Sequence, residues 1–78
     1  MTLGEHLRNL RERKKLKVSQ VAKDTGKSRG TPYAWEADRI NPAPESLQRL
    51  LELYGASDAE RLMAWALLAA QPTSPTTA

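Results

Sequence analysis

Apolar residues recur along this chain at intervals of three and four, the period of an amphipathic helix, in separate short stretches. Leu3, Leu7 and Leu10 form the first stripe, and a helix is expected over about 2–15, with Thr2 and Glu5 at capping-box spacing. Leu16 is expected to pin the link to a second helix at about 18–25, where Val21 and Ala22 supply the apolar face. Gly26 is placed to end that helix, because only a residue tolerant of positive φ turns the chain sharply there. The third stretch carries Tyr33, Ala34 and Trp35, with Trp35 expected inward. Its start is open between two placements. With Ser28 as cap, Pro32 falls at the fourth helical position, where its ring crowds a carbonyl. With Thr31 as cap, Pro32 falls at the first position, where proline is favoured, and the helix shortens to about 32–37. The expectation is a helix distorted over its first turn, which Pro32→Val would regularise and stabilise.

ADRINPAP, residues 37–44, reads as a loop: Asp38 and Asn41 tolerate turn geometry and two prolines block continuation. Leu47, Leu50, Leu51 and Tyr54 form the inward stripe of a fourth helix at about 44–54, which Gly55 ends. Ser57 and Glu60 make a second capping box, opening a fifth helix at about 58–70. That helix is more apolar than one small core requires. Met63, Trp65, Ala66 and Leu67 cannot all face inward together with Leu62 and Leu68, and an exposed remainder favours self-association. Residues 71–78 are rich in proline and threonine and are expected to be a disordered tail on a single domain spanning 1–70.

Two short helices joined by a glycine-containing turn over 18–36 have the helix-turn-helix signature, whose second helix lies in the DNA major groove. The charge distribution agrees with a polyanionic partner. Residues 1–39 hold ten Lys/Arg against five Asp/Glu, a net of +5, whereas residues 40–78 hold two against four, a net of −2. The 78 residues contain no cysteine, so neither a disulfide nor a thiolate metal site supports the fold, and a reducing compartment fits. The N-terminus alternates charges without an apolar run, unlike a signal peptide, and no stretch approaches the ~20 apolar residues of a membrane span. A cytoplasmic protein is expected, with no membrane partner. His6, the one histidine, has no companion at ligand spacing and reads as an ordinary surface residue. No nucleophile–base constellation or metal cluster is evident, so neither an enzyme nor a cofactor is expected.

The stretch LGEHLRNLRERKKL, VA at 21–22, Gly26, Ser28, Thr31, WE at 35–36, NP at 41–42, Leu47, Leu50 and Gly55 resembles, without a gap, the pattern of lambda-repressor-like (XRE-type) helix-turn-helix proteins. The resemblance covers about residues 3–68. It implies an all-α, compact five-helix bundle that binds operator DNA, mostly as a dimer, as phage- and mobile-element-type repressors do. It also implies a structural ion pair between Arg11 and Glu36, with a phosphate contact open to the arginine. The base-reading positions correspond to Arg29, Gly30, Tyr33 and Ala34. Arg29 can make a bidentate contact to guanine, whereas Gly30 has no side chain and Ala34 can touch only a thymine methyl. Tyr33 suits a phosphate, a sugar or a base edge. Lys17, Val18, Lys27, Ser28, Arg39 and Asn41 fall at backbone-contact positions, Val18 standing where the family usually has glutamine. Met63, Trp65, Ala66 and Leu67 are the expected dimerisation residues. The alternative is a protein-binding adaptor, antitoxin- or anti-repressor-like, whose reading helix has lost its DNA role. Val18, Gly30, Pro32 and Ala34 motivate it, with the face around Trp65 as the partner surface.

Overall fold

Both capping boxes form. Thr2 Oγ1 accepts from the Glu5 N–H at 3.2 Å, and Glu5 Oε1 accepts from the Thr2 N–H at 3.3 Å. Ser57 and Glu60 reciprocate in the same way at 3.2 and 2.8 Å. The computed structural model of the protein describes residues 1–71. Its helices are α1 Leu3–Arg13, α2 Val18–Thr25, α3 Gly30–Glu36, α4 Pro44–Leu53 and α5 Asp58–Ala70, with no strand among the described residues. The fold is the expected all-α five-helix bundle. Of the tail expected at 71–78, only Gln71 lies within the described residues, and its side chain is bonded to Asp38.

The apolar stripes meet as their spacing requires. α1 packs on α3 and α5, and α2 packs on α3 and α4. Leu3, Leu7, Leu10, Val21, Trp35, Leu47, Leu50, Leu51 and Tyr54 form the core. Two expectations are corrected. His6 is buried, not a surface residue, and its Nε2 lies 3.0 Å from the Glu60 carbonyl, so Nε2 must carry the proton that joins α1 to α5. Leu62 does not face inward: it is 73 % exposed, and Ala64 takes the buried position. Leu67 packs partly against the core with Leu68.

The third helix begins between the two placements left open. Gly30 is its first residue, and neither Ser28 nor Thr31 caps it. The Thr31 N–H donates to the Ser28 carbonyl at 3.1 Å, so a tight turn leads into the helix. Pro32 is therefore the third residue of α3, and the Ser28 carbonyl four residues before it already accepts from the Thr31 N–H. Its ring is fully buried. Pro32→Val would give up this packing, which opposes the stabilisation expected from a more regular first turn.

Helices α1 to α4 all end in the same left-handed turn. The turning residues are Lys15, Gly26, Asp38 and Gly55, at φ +60°, +69°, +59° and +63°. After α3, the Arg39 N–H donates to the Ala34 carbonyl at 3.0 Å and the Asp38 N–H to the Trp35 carbonyl at 3.2 Å. This is the Schellman pattern, and the other three turns repeat it.

Candidate nucleic-acid interface

The first helix carries the expected clamp. Arg11 Nε donates to Glu36 Oε2 at 2.7 Å, and a second guanidinium nitrogen donates to Oε1 at 3.1 Å. The remaining terminal nitrogen donates to the Leu16 carbonyl at 2.9 Å. Both side chains are largely buried, so removing one partner alone would cost about 3–5 kcal/mol. Arg11 thus fixes the end of α1 to the end of α3 and to the link before α2. With three of its donors held internally, it has less to offer a phosphate than the freer cations nearby.

Around this clamp lies a continuous face. Arg11, Lys17, Val18, Ser19, Arg29 and Tyr33 line one shallow concavity between the start of α2 and the start of α3. Arg8, Arg11, Tyr33, Glu36 and Ala37 line a second, adjoining one along the α1–α3 seam. Tyr33 and Arg11 belong to both. Among the described residues, ion pairs join Arg8 to Glu12, Arg11 to Glu36 and Arg13 to Glu60. Lys17, Lys27, Arg29 and Arg39 are exposed and make no ion pair there, so their charge is available to an outside anion.

The geometry sorts the candidate residues. Arg29 and Gly30 are exposed at the start of α3, and Tyr33 follows on the same outward face at 61 % exposure. Ala34 is half-buried, and Trp35 lies in the core as expected. Nothing lies within 4 Å of a Cβ built on Gly30, so this position is open rather than crowded. Lys27 and Ser28 are exposed in the turn between α2 and α3. Arg39 is exposed in the following loop, and Asn41 is half-buried. Val18 is the exception: its side chain is buried, which leaves only its main-chain N–H for a backbone contact. The first-turn N–H groups of a helix lack intrahelical acceptors, so Val18 and Ser19 contribute donors rather than side-chain charge.

Two participants escaped the sequence pattern. Arg8 reaches the α1–α3 seam beside Tyr33, and Ser19 lines the concavity beside Lys17. Both depend on how α1 and α2 pack against α3, which no local spacing states.

A small helical bundle with a basic, aromatic-bearing face across α2 and α3 is the architecture of a helix-turn-helix module. Residues 2–63 match a family model described as helix-turn-helix domain, and the chain belongs to that family, a class of DNA-binding domains. Comparison with curated proteins and comparison with solved structures each gave no match. No helix among the described residues is long and apolar enough to cross a membrane.

Proposed function

We propose that this chain is a sequence-specific transcriptional regulator of repressor type, acting in the cytoplasm as a homodimer on operator DNA. It works by binding, without a cofactor and without enzymatic chemistry. The observation that carries this reading is the α2–α3 face, where the unpaired Lys17 and Arg29 line one concavity with Tyr33. Arg29 reads a guanine in the major groove, and Tyr33 contacts a base edge or sugar beside it. Lys17, Lys27, Ser28, Arg39 and Asn41 hold the phosphates and set the register. The dimer forms through α5. Leu62, Met63 and Trp65 are 73 %, 49 % and 37 % exposed, and no charged residue occurs from Leu62 to Gln71. Leu62 adds to the expected residues of this surface, while the half-buried Leu67 packs partly on the core. Trp65→Ala should shift the dimer towards monomer in sedimentation across micromolar dilution, and an unchanged mass for the folded variant would count against the α5 interface.

Selection from a random duplex pool at two salt concentrations tests the whole reading. Enrichment of a two-fold symmetric site, with half-sites about one helical turn apart, is expected. A second reading draws on the thin outward face of α3, where Gly30 has no side chain and Ala34 is half-buried. A protein-binding adaptor using the exposed part of α5 would give no DNA binding even at low salt.

A further inference from the structure

Asp38 is poorly suited to its place in local terms. It is a non-glycine residue at φ +59°, a conformation that aspartate tolerates but that glycine adopts without a steric cost. It also puts a negative charge at the C-terminal end of α3, where the helix dipole disfavours it. It precedes Arg39 in a loop assigned above to DNA phosphates, which a carboxylate repels. Glycine would satisfy the turn better on all three counts.

The side chain explains the exception. Asp38 Oδ2 accepts from the Thr2 hydroxyl at 2.6 Å, and Oδ1 accepts from the Gly4 N–H at 2.9 Å and from Gln71 Nε2 at 3.0 Å. One carboxylate therefore ties the loop after α3 to the first turn of α1 and to the residue that closes α5. Its charge faces the N-terminal dipole of α1, which favours it. Burial pushes the Asp38 carboxyl up, but the bonds from Thr2, Gln71 and Gly4 outweigh this and leave it below the usual carboxylate range. Gly4 makes the approach feasible. A Cβ there would collide with the Glu36 carbonyl and lie 2.7 Å from that of Trp35.

We infer that Asp38 is a positioning residue for DNA binding: by anchoring the loop Asp38–Asn41 to α1 and α5, it presents Arg39 and Asn41 to the phosphate backbone. This rests on the proposed reading of the α2–α3 face. It also has a consequence opposite in sign to simple electrostatics, because removing a negative charge beside bound DNA should tighten binding, whereas loss of the anchor should weaken it.

The test is binding to a short mixed-sequence duplex, titrated across salt, for the wild type, Asp38→Gly and Asp38→Asn. Glycine accepts the left-handed backbone and removes the charge together with the anchor, while asparagine tolerates the same backbone, removes the charge and keeps an acceptor. Asp38→Gly should bind more weakly and lose about one unit of log–log salt slope, one phosphate contact, with Asp38→Asn between it and the wild type. Binding equal to or tighter than wild type, or weaker binding with an unchanged slope, would overturn the inference, the latter indicating a merely structural role. Failure of the wild type itself to bind at low salt would overturn the reading of the face, and with it this inference. Thermal denaturation of each variant establishes that a folded protein is being titrated.

Discussion

Two helix ends in this molecule turn on glycine and two turn on a charged residue, although the backbone is the same at all four. Gly26 and Gly55 adopt positive φ at little steric cost, as does any glycine at the end of a helix. Lys15 adopts it against its stereochemistry, and Asp38 tolerates it less well than glycine does. Lys15 is compatible with its surroundings, because a positive charge at the end of α1 suits the helix dipole. Asp38 puts a charge of the wrong sign at the end of α3, and its side chain alone among the four closes a contact with a distant helix start. The difference teaches where to look for function in a small bundle. A turn that glycine would serve better, but that carries another residue, is held by something outside the turn.

The most severe way to break this contrast is to deny Asp38 its dock. Gly4→Ala places a methyl group against the backbone of α3, and thermal or urea denaturation should show a loss of about 3 kcal/mol. Next are the two glycine turns. Gly26→Ala meets no neighbour within 4 Å, so its whole cost is conformational, about 1–2 kcal/mol. Asp38→Gly should cost about 1 kcal/mol, since roughly three hydrogen bonds are lost while the backbone strain is relieved. Lys15→Gly has no such contacts to lose and should stabilise the protein by about 0.5 kcal/mol. A loss in that variant would mean that the charge of Lys15 matters more than its backbone.

A pH titration extends the comparison from Asp38 to Glu60, a carboxylate in the first turn of α5. The Arg13 guanidinium, with the Ser57 N–H, holds the Glu60 carboxyl down at about 2. A group depressed in the folded state contributes stability above its unfolded value, and that stability is lost as pH falls through the folded one. The Glu60 contribution should therefore be intact above about pH 4.5 and fade as pH falls towards 2. In Glu60→Gln this part of the acid transition should be absent. A midpoint that falls as steeply with acid as in the wild type would assign the acid loss to other groups.

The features legible in the sequence are those that physics makes local. The spacing of Thr2 to Glu5 and of Ser57 to Glu60 carries both capping boxes, and Gly26 and Gly55 mark their turns because the backbone demands it. The leucine stripes give the bundle, and the resemblance to lambda-repressor-like proteins gives Arg11 with Glu36. Features that depend on a partner far along the chain were not legible. His6 has no companion nearby in sequence, yet it donates to a carbonyl on α5. Leu62 faces outward because α5 turns Ala64, not Leu62, into the core. Asp38 reads as a residue that tolerates a turn, and nothing local indicates that Thr2, Gly4 and Gln71 converge on it. The basic face was legible in outline from charge, whereas Arg8 and Ser19 join it only through packing.

The central claim is that the α2–α3 face, rather than positive charge in general, holds DNA. Salt-dependent binding of Arg29→Ala and Arg49→Ala to one selected duplex tests it most directly. Each variant removes one exposed arginine, but Arg49 lies beside Asp24 and Glu52 in a separate concavity between α2 and α4. Arg29→Ala should weaken binding by about 1–3 kcal/mol and relax the preference for guanine, while Arg49→Ala should bind as the wild type does. Equal losses in the two variants, or no binding of the wild type at low salt, would contradict the account.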